Sequence, residues 1–136
     1  MKITPALLPL FAALLLALPL SAQEPAVPDF SKGMPDVKLE RKMKIDGQEA
    51  FRLTTALGAK EFSTTLVRFL GAGWRKRELT DNEKFSLTAA RASGAECSLA
   101  AYENEKLPNI EIRASYTREK KGDAHAYVDV QVFRSK

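Results

Sequence analysis

Two runs near the C-terminus constrain the fold of this chain more than any other feature. Ile110, Ile112, Ala114 and Tyr116 alternate with Glu111, Arg113, Ser115 and Thr117; after a charged turn, Ala126, Val128, Val130 and Val132 alternate with Tyr127, Asp129 and Gln131. A period of two sends apolar side chains to one side of a strand and polar ones to the other. The turn between them, Glu119 to Asp123, is short, so the runs read as antiparallel neighbours in a sheet with one wet face. Cys97, Leu99 and Ala101 alternate in the same way with Glu96, Ser98 and Ala100, which predicts a third strand with Cys97 facing inward. Trp74 opens a basic strand. Phe85, Leu87 and Ala89 predict another after the polar turn Thr80 to Glu83, with Ser93-Gly94 as a hairpin signal.

The N-terminal half adds a hairpin and a helix. Val37, Leu39, Met43 and Ile45 alternate with Lys38, Glu40, Lys42 and Lys44, with Arg41 interrupting the apolar face. Asp46-Gly47 favours a tight turn, and Phe51 and Leu53 alternate with Arg52 and Thr54 beyond it. From Lys60 to Leu70 the period changes: Phe62, Leu66, Phe69 and Leu70 share one side, with Lys60, Glu61, Thr64 and Arg68 outside. Gly71 and Gly73 end the helix. Three turns of helix are marginal alone and require a sheet beneath. The expectation is an α+β domain of two layers: one amphipathic helix on a mainly antiparallel, twisted sheet of about five to seven strands.

The segment 1–22, MKITPALLPLFAALLLALPLSA, has a basic start at Lys2, an apolar run from Leu7 to Leu18 and a small-residue exit, which predicts a signal peptide cleaved after Ala22. The run is shorter than the roughly 20 apolar residues of a membrane span and holds prolines. Cleavage would leave 114 residues, enough for one domain. Residues 23–36 contain three prolines and read as an extended leader, with Phe30 able to dock on a domain that spans 37–136. The expected location is outside the cytoplasm, periplasmic or secreted, with no stable membrane anchor after cleavage. Removing Lys2 takes the formal charge from +4 to +3, too weak a bias to imply a nucleic-acid partner. Cys97 is the sole cysteine, so no internal disulfide can form, and burial is its simplest state in an oxidising compartment.

Catalytic and metal signatures are missing from the sequence. It has no GxSxG elbow, phosphate-binding glycine loop, CxxC pair, HExxH helix or EF-hand loop. His125 is the only histidine, at a strand start with Asp123 and Asp129 near in sequence. Glu103 and Glu105 form an acidic pair beside a turn. A general acid or base needs an orienting partner and a cleft, and nothing in the sequence supplies one.

The best binding candidates are Trp74 with Arg75 and Arg77, and Lys38, Lys42 and Lys44 on one face of the first strand. Trp74 would serve as a stacking platform and the cations as contacts to phosphate or acidic glycan. Strand alternation separates Trp74 and Lys76 from Arg75 and Arg77, and lysines on an edge strand also serve to block aggregation.

The stretch Phe51 to Leu79, FRLTTALGAKEFSTTLVRFLGAGWRKREL, resembles a piece of small exported bacterial α+β domains, many without an assigned activity. In these a strand ending in Thr or Ser leads into an amphipathic helix closed by Gly-Trp, then into antiparallel strands. Here those places are taken by Thr54-Thr55, Phe62, Phe69 and Gly73-Trp74. Thr65 and Phe69 stand where those domains often carry a second aromatic and a leucine. The resemblance implies a fold and carries no catalytic residue. Together these readings predict an exported, non-catalytic binding or accessory protein of the cell envelope, without cofactor or metal, acting on an unknown protein partner or an anionic envelope component. The alternatives are a polyanion-binding module for envelope glycan or phospholipid headgroups, and a small hydrolase using carboxylates or His125.

Overall fold

The computed structural model describes residues 26–120 and 122–135. The expected signal peptide, 1–22, lies outside them. A 3-10 turn, Phe30–Lys32, precedes strands β1 (Val37–Ile45) and β2 (Gln48–Thr55), helix α1 (Ala59–Leu70), strand β3 (Trp74–Arg77), helix α2 (Asp81–Ala92), and strands β4 (Glu96–Asn104), β5 (Ile110–Arg118) and β6 (Ala126–Arg134). The strands form one six-stranded sheet in the order β1-β2-β6-β5-β4-β3, and every neighbouring pair is antiparallel. The two-layer α+β architecture expected from the alternation is present.

Local chemistry explains the individual elements. Asp46 and Gly47 both take positive φ, 52° and 80°, and close the β1–β2 hairpin at the predicted dipeptide. In α1, Phe62, Leu66 and Leu70 are buried, each contributing about 1.5–3 kcal/mol by leaving water. Helix α1 carries the chain from β2 to β3 at the far side of the sheet, and the β4–β5–β6 meander fills the gap between them. The Tyr116 hydroxyl donates to the Leu57 carbonyl at 2.7 Å and the Arg118 guanidinium donates to the same oxygen at 3.0 Å, which pins the loop leading into α1. Behind α1, Asn104 is buried; its Oδ1 accepts from the Lys106 amide at 3.0 Å, and its amide group lies under Gly73. Gly73 has φ +88°, and a Cβ there would stand 2.8 Å from Asn104 Nδ2, so both conformation and space demand glycine.

Four local expectations are corrected. The first concerns residues 81–92, which form α2 in place of a turn and strand, so the domain has two helices. The alternation of Phe85, Leu87 and Ala89 is outweighed by a capping box: the Glu83 amide donates to Thr80 Oγ1 at 3.2 Å, and the Thr80 amide donates to Glu83 Oε1 at 2.8 Å. No residue of α2 is fully buried and Phe85 is 76% exposed, so little packing drives this helix and its cap matters more than usual. Thr80→Ala is expected to cost about 1 kcal/mol and to speed amide exchange in the first turn of α2. Unchanged exchange at Lys84 and Phe85 would contradict the role given to the cap.

The second correction is the facing of β4. Its register sets Tyr102 opposite Ile112 and Ala100 opposite Ala114. Tyr102, Ala100 and Asn104 therefore lie toward α1, and Cys97, Leu99 and Ala101 lie on the outer face. Cys97 and Ala101 are buried yet stand apart from the main core cluster. One large aromatic, Tyr102, decides the face against three smaller residues.

Third, a β-bulge between Leu39 and Arg41 reverses the sides of β1 beyond it. Met43 and Ile45 leave the core side, and Lys42 and Lys44 join it. Lys42 Nζ accordingly stands 5.7 Å from the Phe51 ring centroid.

Fourth, the leader is not wholly extended. Asp29 caps the 3-10 turn by accepting from the Ser31 amide at 2.9 Å, and Phe30 is fully buried between Phe51 and Phe69, with ring centroids at 5.6 and 5.5 Å. Phe30 docks, and the packed core begins seven residues before β1.

Candidate functional site

The sheet has one face covered by α1 and the 3-10 turn, and an outer face on which α2 covers only the side formed by β3, β4 and β5. An ion cluster fastens α2 there. The Arg77 guanidinium donates to Glu111 Oε1 at 2.7 Å and Oε2 at 3.1 Å, and to Glu83 Oε1 at 2.8 Å and Oε2 at 2.9 Å. Arg113 joins through Glu111 and lies over the Phe133 ring, 4.1 Å from its centroid. Hydrogen bonds from Arg77 and from the Thr80 amide hold the Glu83 carboxyl down at about 2. Arg77 likewise holds Glu111 below the usual carboxylate range, and both carboxylates raise Arg77. Arg77, Glu83 and Glu111 thus satisfy one another, whereas Arg113 donates through Nε alone, to Glu111.

Where α2 ends its cover, a groove of about 250 Å³ runs between the helix and the open sheet. Asn82 and Ser86 line it from α2, Leu99 from β4, Arg113 and Ser115 from β5, and Asp129 and Gln131 from β6. The charged members are paired: Asp129 accepts from Arg52 Nε at 2.8 Å and Nη2 at 3.0 Å, and Arg52 in turn lies 5.5 Å from the Tyr127 ring centroid. The uncharged members are different. The side chains of Asn82, Ser86, Ser115 and Gln131 make no hydrogen bond within the protein among the described residues. Each can donate and accept.

The residues singled out by sequence do not converge. Trp74 is buried in the core against α1. Arg77 is held by two carboxylates. Arg75 is exposed on the outer face, opposite Glu103. Lys38 lies on the outer face opposite Thr54, whereas the bulge puts Lys42 and Lys44 on the other side, where Lys42 pairs with Glu49 at 3.5 Å. The alternation of Phe85, Leu87 and Ala89 conceals the helix that carries Asn82 and Ser86, and the Thr80–Glu83 spacing is the signal that reveals it.

A larger cavity of about 560 Å³ opens at the end of the sheet, lined by Met34, Asp36, Val37, Lys38, Thr54, Thr55, Ala56, Leu57 and His125. The Thr55 hydroxyl there is occupied, donating to the Asp36 carbonyl at 2.8 Å and accepting from the Leu57 amide at 3.0 Å. Asp36, Lys38 and His125 are exposed at its rim and share no ion pair or hydrogen bond among the described residues. Among the described residues, no side chain hydrogen-bonds to His125. Glu103 is half-buried and Glu105 is exposed. Among the described residues, no group of three or more His, Cys, Asp or Glu side chains is placed to hold a metal ion, and no helix is long and apolar enough to cross a membrane. No protein-family model, curated protein or solved structure matches the chain.

Proposed function

We propose that the chain is an exported, non-catalytic binding protein of the cell envelope, and that the groove between α2 and the outer sheet face is its binding surface. The observation that carries this reading is the set of four uncharged polar side chains, Asn82, Ser86, Ser115 and Gln131, which face one groove from three elements and have no hydrogen-bond partner among the described residues. Convergent polar groups in a concavity with an apolar floor, here Leu99, are what a ligand site requires. Export is supported by the layout of residues 1–22. The separation of Lys38, Lys42, Lys44, Arg75 and Arg77 favours this groove over a polyanion surface built from those cations.

Ser86→Trp tests the reading. Ser86 is exposed on α2, so the bulky ring fills the groove without disturbing the core. Sedimentation of the purified protein with isolated envelope fractions should fall sharply in this variant, and Lys42→Glu on the opposite face should leave it unchanged. Equal retention of wild type and Ser86→Trp would contradict the assignment.

A further inference from the structure

We infer that the groove takes the free carboxylate end of a peptide and that Arg113 is its anchor; the inference rests on the binding role proposed for the groove. Arg113 lines the groove with a side chain that is 39% exposed, and its guanidinium is only partly used. Nε donates to Glu111, while Nη1 and Nη2 have no acceptor among the described residues. Arg52 and Arg77, by contrast, each grip carboxylates through two or more nitrogens. A carboxylate accepts two parallel hydrogen bonds from such a planar fork. The surrounding charges limit what else the ligand can carry. Glu83, Glu111 and Asp129 are matched in number by Arg52, Arg77 and Arg113, so one anionic group finds donors here, whereas a polyanion meets three carboxylates.

The surroundings of Arg113 fit a chain end. Gln131 stands directly opposite it on β6, with Cβ atoms about 5 Å apart, and Ser115 follows two residues along β5, about 7 Å away. Asn82 and Ser86 face them from α2. The carboxamides of Asn82 and Gln131 donate and accept, as a peptide unit does, so the last amide groups of a chain find partners close to the anchored carboxylate. Leu99 gives the last side chain an apolar floor, and about 250 Å³ admits a short segment. The groove lies on the sheet face and not along an edge, so the middle of a chain gains no backbone ladder. An acidic sugar is disfavoured because both aromatic rings on this side of β6 are overlaid by guanidiniums. Arg52 lies 5.5 Å from the Tyr127 centroid and Arg113 4.1 Å from the Phe133 centroid.

Titration calorimetry with acetyl-Ala-Ala-Leu tests the inference, with its C-terminal amide and a galacturonic acid trimer as comparisons. The free acid should bind saturably, and the amide about 10-fold more weakly or worse, the loss expected for a charge-assisted pair. Arg113→Gln should weaken the acid to the same extent and abolish its preference over the amide, a signature that general loosening of the groove would not give. Gln131→Ala and Asn82→Ala should each cost about 3–10-fold, the range for one lost hydrogen bond, and Lys42→Ala should cost nothing. Equal binding of acid and amide would overturn the anchor, and tighter binding of the trimer would overturn the peptide. Peptide binding that survives Ser86→Trp would place the carboxylate outside the groove and overturn the inference. If the peptide fails to bind while envelope fractions retain the wild type and release Ser86→Trp, the carboxylate inference falls and the binding role stands. Equal envelope retention of both proteins would remove the binding role itself.

Discussion

Phe30→Ala is expected to lower the unfolding free energy by about 3–5 kcal/mol, the range for truncating a fully buried aromatic side chain. Phe30 has no exposed surface and touches the rings of Phe51 on β2 and Phe69 on α1. It closes the core at the end where β1 contributes only Val37 and the half-buried Leu39. The leader therefore belongs to the folding unit, although its prolines give it the composition of a linker. Urea unfolding followed by the fluorescence of Trp74, the only tryptophan and a buried one, measures the loss. A change below about 1 kcal/mol would place Phe30 outside the core and contradict the packing.

The second large effect is expected at Arg77. Arg77→Met leaves Glu83 and Glu111 without their shared guanidinium, and the loss of charge-assisted hydrogen bonds should cost about 2–3 kcal/mol at neutral pH. The side chains of Arg77, Glu83 and Glu111 are 17, 15 and 24% exposed, so water moderates the penalty without removing it. The pH dependence follows from the carboxylates. Glu83 titrates at about 2 in the folded protein against an ordinary value of 4.5, and Glu111 is shifted in the same direction. A depressed folded-state value means the unfolded chain takes up protons first. The stabilisation is fully present above about 4.5 and is lost as the pH falls toward about 2. Wild-type stability should decline through that window, and Arg77→Met should show a much shallower decline. Parallel profiles would show that the cluster does not hold α2 to the sheet.

How much of this could be read in the sequence depends on whether a residue's role is local. The meander from β4 to β6 and the hairpin at Asp46-Gly47 stand where the alternation and the turn dipeptide put them, and α1 buries Phe62, Leu66 and Leu70 as the helical spacing requires. These elements follow from period and turn chemistry, which act over a few residues. The facing of β1 and β4 was not legible in that way. One extra residue near Glu40 reverses the lysines of β1, and the volume of Tyr102 overrides the pattern of Cys97, Leu99 and Ala101. Helix α2 shows two local signals in conflict, an accidental period of two and a capping box, and the hydrogen bonds between the side chains and backbone amides of the cap prevail. The groove lay beyond reach for a different reason. It exists only because α2 folds back over the strands that follow it, so Asn82 and Ser86 meet Ser115 and Gln131 across more than 25 residues of intervening chain.

The central claim is that the working surface is this groove. The most direct test maps amide chemical shifts of the protein while a soluble extract of the cell envelope is added. The account predicts that shifts concentrate at Asn82, Ser86, Leu99, Ser115 and Gln131, with the α1 side of the sheet silent. Shifts centred on Lys42 and Lys44, or around His125 and Asp36 at the end of the sheet, would contradict it, as would a spectrum that does not change.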